Sequence, residues 1–296
     1  MEEALRRHTF EAMGTSLELL LEAESTPASA TALALAETEI RRLEGVFSRF
    51  RPDSELTALN EAGSMTVGPE LLEVTDFALA ARERTGGRFD PTVHDALVAA
   101  GYDRTLDDVP PDMVAEEPTE GTLCGGGVRI DHAESRIELD PGVRLDFGGI
   151  AKGFAAERTC DVLAEAGNCL VNAGGDVSVR GRLDGAAWPV GVETPEGIVT
   201  LGLESGSLAT TGRDRRRWLR NGREHHHVID PATGMPSESD LLRVTVVAPC
   251  AMEAEVLAKS LFLGGEHGAL READELGIPS LLVTRDGRAV FAGGLE

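Results

Sequence analysis

Between residues 143 and 176 the chain twice runs from an apolar stretch into a pair of glycines beside an acid, and this repeat constrains the local fold more than any other stretch. Val143 to Phe147 carries Asp146 and predicts a short strand. Gly148-Gly149 and Ala151-Lys152-Gly153 follow, and Ala151 to Ala166 predicts a helix. A second strand, Leu170 to Asn172, ends in Gly174-Gly175 and Asp176. Paired glycines allow tight corners and a close approach of backbone to a neighbour or a ligand. One reading of Gly148 to Gly153 is a strand-to-helix turn and nothing more. The other is an anion site made by amides at a helix start, with Lys152 as a point charge. The spacing fits neither GxxxxGK[ST] nor GxGxxG. A lysine in a first helical turn opposes the helix dipole, so local helix stability does not explain it. Asp146 and Asp176 read singly as turn or cap residues, and together as a pair suited to a cation or a ligand hydroxyl.

The chain has 296 residues, enough for one large core, and is expected to form a single domain over 1–296. A net charge of −23 argues against a nucleic-acid partner, which requires a basic face. Lysine occurs only at 152 and 259, so each lysine warrants scrutiny. No run approaches the ~18 apolar residues that span a bilayer, and the N-terminal MEEALRRHTF has no apolar signal core. A cytoplasmic protein without a membrane span is the expectation. Cys124, Cys160, Cys169 and Cys250 form no CxxC pair, which predicts reduced thiols rather than a metal knuckle.

His8 to Leu21 predicts a strand interrupted at Met13-Gly14-Thr15, where the glycine marks a bulge or a close ligand approach. After a turn over Ser25 to Ser29, helices are predicted over Thr31 to Phe47 and Pro69 to Thr85, with a short one capped by Asp53 or Ser54. Arg88 to His94 reads as a loop fixed by Asp90-Pro91, and 103–127 as a surface excursion. Val128 to Ile130 and Arg136 to Leu139 predict a hairpin. Beyond Asp176 come short strands, a basic patch over Arg213 to Arg217, a strand over Glu224 to Ile229, and a strand over Leu242 to Ala248. Helices over Met252 to Leu263 and Glu266 to Glu275 and a last hairpin around Asp286-Gly287 complete the chain. With no β-α-β-α rhythm the class is α+β, mixed and largely antiparallel sheets with packed helices. His225 and His227 share a face of their strand, and a histidine at a strand end near an acid and a glycine turn is a candidate base. SLATTG (207–212) supplies three hydroxyls, or only a polar strand end.

Taken in order, FEAMGT (10–15), FSRFRPDSELTALN (47–60), GGRFDPTV (86–93), LDFGGIAKGFAAER (145–158), NAGGD (172–176), SLATTG (207–212), HVIDPATG (227–234) and VTVVAP (244–249) resemble the successive blocks of the FAD:protein FMN transferases, the ApbE family. Each block alone is a weak signal; eight in order are specific. The resemblance implies a T-fold-like α+β domain. It also implies an enzyme that binds FAD, breaks its pyrophosphate, passes FMN to a Thr or Ser hydroxyl of a target protein and releases AMP. Two other readings stay open: an FAD pyrophosphatase giving FMN and AMP, and a degenerate or repurposed flavin-binding protein. The partners implied are FAD and an acceptor protein with a Thr/Ser flavinylation motif, or a small-molecule acceptor.

By resemblance, Met13, Phe50, Asp90, Pro91 and Thr92 match positions lining the flavin site, with Phe50 where the family usually has tyrosine. Gly149 and Lys152 match the pyrophosphate end, and Asp176 and Thr211 further ligand contacts. His227 matches the base that deprotonates the acceptor hydroxyl, with Asp230 fixing the turn behind it. The resemblance also implies Mg²⁺, held by an aspartate, a threonine four residues later, and the carbonyl of Ala151. This chain has Glu255 and Lys259 at the two side-chain positions. Glu255 keeps a carboxylate on a longer arm, whereas a protonated Lys259 cannot ligate and repels a cation. Glu255 and Lys259 read either as an exposed i,i+4 ion pair, or as a corner where the Lys259 ammonium takes the metal's place beside the diphosphate. On the second reading Lys259 joins His227 and Lys152 in the catalytic set.

Overall fold

The structure is a computed structural model that describes residues 4–105, 112–113 and 122–295, with the backbone alone at 4, 112, 113 and 223. Most of the predicted excursion over 103–127 lies outside the described residues. In chain order the elements are β1 (Ala4–Ala12), β2 (Thr15–Ala23), α1 (Pro27–Phe47), α2 (Glu55–Ala62), β3 (Ser64–Thr66), α3 (Pro69–Arg84), α4 (His94–Ala99), β4 (Asp112–Met113), β5 (Val128–Asp131) and β6 (Arg136–Leu139). Then follow α5 (Ala151–Ala164), β7 (Asn168–Ala173), β8 (Asp176–Arg180), β9 (Trp188–Thr194), β10 (Gly197–Leu203), β11 (Gly206–Gly212), β12 (Arg217–Arg220) and β13 (Arg223–His226). The last are β14 (Ile229–Asp230), β15 (Met235–Pro236), β16 (Leu241–Ala248), α6 (Ala251–Leu263), α7 (Gly265–Leu276), β17 (Ser280–Thr284) and β18 (Ala289–Ala292). The α+β class holds. The chain divides into two units, the first Met1–Glu44, Ile150–Thr211 and Asp240–Glu296, the second Gly45–Gly149 and Gly212–Ser239.

The first unit is built on an eight-stranded sheet in the order β1-β2-β7-β8-β11-β16-β17-β18. Alternation along its strands divides the apolar side chains between two faces. Leu17, Leu19 and Leu21 of β2 and Cys169, Val171 and Ala173 of β7 meet Leu33, Ala36 and Ile40 of α1 and Ala156, Cys160 and Leu163 of α5. Leu170 of β7 and Val177 and Val179 of β8 point the other way, onto Trp188, Val190 and Val192 of β9 and Leu201 and Leu203 of β10. α5 packs on β7 and β8, and α6 packs on β16 and against α5. The Glu157 carboxylate of α5 accepts from the Ala251 N–H at 2.9 Å. An acid thus meets an amide at the start of α6, where the helix dipole favours it.

The predicted strand over His8 to Leu21 is instead a hairpin, β1 and β2 paired from Ala4↔Ala23 to Ala12↔Thr15. Met13 and Gly14 turn it with φ of 53° and 63°. Positive φ at both central residues suits the twist of a two-residue hairpin but is costly for methionine. The Met13 N–H is held by the Glu44 carboxylate at 2.5 Å. A Met-Gly pair lacks the Asn-Gly signature of such turns, so the sequence read as one interrupted strand.

The second unit carries α2, α3 and α4 with sheets ordered β3-β6-β5 and β13-β12-β4 and the pair β14-β15. Ser54 caps α2, its hydroxyl accepting from the Thr57 N–H at 3.0 Å. Its core is aromatic: Tyr102 stacks on Trp218 with centroids 5.5 Å apart, and Phe50 meets Tyr102 edge-on at 5.6 Å.

Candidate functional site

Residues 143–147 are not a strand. Asn60 replaces a ladder partner: its side chain accepts from the Leu145 N–H at 2.7 Å and donates to the Leu145 carbonyl at 2.9 Å. The next amide, of Asp146, donates to the Pro91 carbonyl at 2.8 Å. Asp146 is nearly buried and pairs with the Arg49 guanidinium at 2.7 Å. One of its oxygens also accepts from the Gly148 N–H at 2.8 Å. Its charge is therefore balanced within the second unit, and the two acids singled out beside the glycines each have a separate cation.

That second cation is Lys152. In the first turn of α5 it pairs with Asp176, at the start of β8, and its Nζ lies 3.7 Å from Glu255 Oε2 on α6. All three side chains are mostly closed to solvent: 14% exposed at Lys152 and 5% at each acid. Glu255 Oε1 accepts from the Gly153 N–H at 2.6 Å. A Cβ at residue 153 would lie 2.8 Å from that oxygen and 3.1 Å from the Ala251 carbonyl, so this approach of α5 to α6 requires glycine. At this helix start the Gly153 N–H is occupied by the chain's own Glu255 side chain. Burial pushes the Glu255 carboxyl up, and the Asp176 charge adds to the effect. The Lys152 and Lys259 ammoniums and the Gly153 N–H oppose it. Asp176 is delivered by the predicted glycine turn, where the Asn172 side chain accepts from the Gly175 N–H at 2.8 Å. Gly174 has φ 67°, and a Cβ there would collide with Thr15 Oγ1.

Ala151 opens α5 and is buried; Thr211 is buried in β11. Gly149 lies in the turn before α5. Lys259 is half-buried one helical turn beyond Glu255. This donor set does not suit a divalent cation. Glu255 is engaged by the Gly153 amide and faces Lys152, Lys259 offers no lone pair while protonated, and Asp176 is paired. Among the described residues no cluster of three or more His, Cys, Asp or Glu side chains is arranged to hold a metal.

In the second unit, Asp90, Pro91 and Thr92 form one tight loop. Asp90 Oδ1 accepts from the Thr92 N–H at 2.8 Å and hydroxyl at 2.7 Å, and the Thr92 Oγ1 accepts from the Gly125 N–H at 2.8 Å. The Arg49 guanidinium lies over Phe50 at 4.2 Å and over Tyr102 at 4.7 Å. His227 meets the same Tyr102 ring at 6.4 Å. The predicted strand over Glu224 to Ile229 breaks: β13 stops at His226, and His227 stands half-exposed in the gap before β14. Its backbone N–H donates to the Arg216 carbonyl at 3.3 Å, and its Nδ1 lies 3.3 Å from the same oxygen. A carbonyl only accepts, so Nδ1 carries the proton and Nε2 is the basic nitrogen. Arg49, Tyr102, Trp218 and Arg216 were absent from the sequence-based set. Composition was the available signal, since Tyr102 is the only tyrosine and Trp218 one of two tryptophans.

His226 differs from its neighbour. It is 1% exposed, donates from Nε2 to the Ser237 carbonyl at 2.9 Å and accepts at Nδ1 from the Val228 N–H at 3.3 Å. Both bonds suit the neutral ring. Burial, with the Arg213 charge adding to it, pushes the imidazole down to about 4. Between that value and the ordinary 6.5 the unfolded chain binds the extra proton, so stability rises with pH through this window and is lost as pH falls through it. The full effect is on the order of 3 kcal/mol. Urea unfolding across the interval should show this slope and His226→Gln should flatten it; equal slopes in the two proteins would refute the assignment.

The fold, largely antiparallel sheets with packed helices in a mixed α+β arrangement, is of the ApbE/T-fold-like class. The ApbE family profile matches residues 13–282, and the chain belongs to that family. It is 31% identical to an FAD:protein FMN transferase of Treponema pallidum (strain Nichols), over 91% of this chain and 82% of that protein. It is 30% identical to another of that description from Vibrio cholerae serotype O1, over 86% and 82%. The crystal structure of the ApbE protein from Thermotoga maritima superposes with a TM-score of 0.86 at 26% identity, covering 98% of this chain and 97% of that one. No helix among the described residues is long and apolar enough to cross a membrane.

Proposed function

We propose that this protein is an FAD:protein FMN transferase. A Thr or Ser hydroxyl of an acceptor protein attacks the FMN-side phosphorus of FAD. The new P–O bond forms as the pyrophosphate bridge breaks; FMN stays on the acceptor and AMP leaves. His227 Nε2 takes the hydroxyl proton. Lys152 carries positive charge to the diphosphate, held by Asp176. Met13, Phe50, Asp90, Pro91, Thr92, Gly149 and Thr211 take the remaining ligand contacts. Phosphoryl transfer is mostly positioning and charge neutralisation plus a base for the nucleophile, which is what these residue types supply.

The observation that carries this reading is the Arg216 carbonyl 3.3 Å from His227 Nδ1, which leaves the base lone pair on Nε2 in a half-exposed ring. A second reading, FAD binding without turnover, is favoured by Lys259 at the family's metal position. One assay separates them: FAD incubated with a Thr-bearing acceptor peptide. FMN mass on the peptide supports transfer; AMP without labelling indicates hydrolysis; intact FAD indicates binding alone. A cytoplasmic location is proposed from the scattered cysteines, none of which forms a CxxC pair.

A further inference from the structure

We propose that in this chain the place the family gives to a divalent cation is filled from within by the Lys259 ammonium, so that FAD is bound and cleaved without a metal ion. The inference rests on the reading that the Lys152–Asp176–Glu255 corner serves the FAD diphosphate.

The geometry leaves little for a cation to hold. Mg²⁺ demands near-octahedral oxygen ligands at about 2.0–2.1 Å and sheds its water reluctantly. Of the two side-chain positions implied for it, residue 259 has lost its oxygen altogether. The other, Glu255, is tied by Oε1 to the Gly153 N–H at 2.6 Å, with Oε2 3.7 Å from the Lys152 ammonium. Gly153 lacks the Cβ that would push this carboxylate away, so the backbone is shaped to keep it at the α5 start.

Charge gives the positive half of the argument. Helical side chains tilt toward the N-terminus, and residues four apart share a face, so Lys259 lies over the turn that carries Glu255. By formal charge the two ammoniums, Lys152 and Lys259, match the two carboxylates, Asp176 and Glu255. Before FAD binds, adding a divalent ion would leave this mostly closed corner with two uncompensated positive charges, which is costly away from water. A hydroxyl at 259 would instead leave one net negative charge, the condition that draws a cation in. Helical spacing sets the second of the chain's two lysines on the face of α6 that carries Glu255, as a point charge of the kind that serves phosphate.

The test compares the parent with Lys259→Thr by two readouts. Mn²⁺ binding, followed by the electron paramagnetic signal of the free ion, needs no turnover. The variant should bind Mn²⁺ at least about tenfold more tightly than the parent. The second readout is AMP release from FAD. In the parent it should stay within about two-fold on adding EDTA or Mg²⁺, while the variant should lose at least about tenfold in EDTA and recover with Mg²⁺. Parent turnover abolished by EDTA and restored by Mg²⁺ overturns the proposal, as does Mn²⁺ binding by the parent as tight as by the variant. If the parent leaves FAD intact under every condition, the transferase reading fails, and the Mn²⁺ comparison alone decides whether the ammonium replaces the ion. If Lys259→Thr does not fold, the EDTA response and Mn²⁺ affinity of the parent decide it.

Discussion

His227→Ala is expected to lower FMN transfer to an acceptor peptide by about 10²–10⁴-fold, the usual contribution of a positioned general base. FAD binding should survive. The imidazole is half-exposed, and the Arg216 carbonyl keeps an amide donor, because the backbone N–H of residue 227 reaches the same oxygen at 3.3 Å. The removed ring takes with it one edge contact to Tyr102, whose stacking on Trp218 remains. Flavin fluorescence on titration gives binding, and peptide mass gives transfer. His226→Gln is the control: its ring is buried between Ser237 and Val228, so it should change stability with pH far more than it changes transfer. Transfer left intact by His227→Ala, or FAD binding lost with it, would remove His227 from the role of base.

Lys152→Met is expected to cost on the order of 3–5 kcal/mol of folding stability, besides abolishing FAD cleavage. The lysine is the cation that pairs with Asp176 and stands 3.7 Å from Glu255, and both acids are 5% exposed. Removing it leaves two buried carboxylates, Asp176 at the start of β8 and Glu255 on α6, without the ammonium they share. The remaining favourable contacts there are the Gly153 amide and the Lys259 charge. Such a loss is coupled rather than additive. Lys152→Met combined with Asp176→Asn should recover a large part of the stability lost in the single variant, without recovering turnover. Urea midpoints for the two single variants and the double variant measure this directly. Strict additivity of the two losses would mean that the pair is not energetically joined.

Local signals were legible along most of the chain. Pro69 located the first turn of α3, the pair Asp53 or Ser54 bracketed the cap of α2, and Asp286-Gly287 located the last hairpin. Where a local pattern competed with a distant partner, the pattern misled. Residues 143–147 have the composition of a strand, but their ladder is supplied by the amide of Asn60, 85 residues away. Met13-Gly14 read as an interruption because methionine rarely takes positive φ, and Glu44 provides the missing restraint from α1. The histidine strand broke one residue before His227, where the Arg216 carbonyl takes both its backbone N–H and its Nδ1.

The same division holds at the glycine corners between residues 143 and 176. Sequence by itself determined that each corner is tight, that each carries an acid, and that the lysine between them does not serve helix stability. The resemblance to the ApbE blocks added the expectation that Glu255 and Lys259 stand where an aspartate and a threonine are usual. Only the tertiary structure decided which charges meet. Asp146 went to Arg49 in one unit and Asp176 to Lys152 in the other, while Glu255 reached the Gly153 amide from 102 residues away. Turn and helix preferences act over a few residues, and they report backbone shape. Ion pairing acts through space, and the pairs form only after sheet register and helix packing have brought distant segments to within a few ångströms.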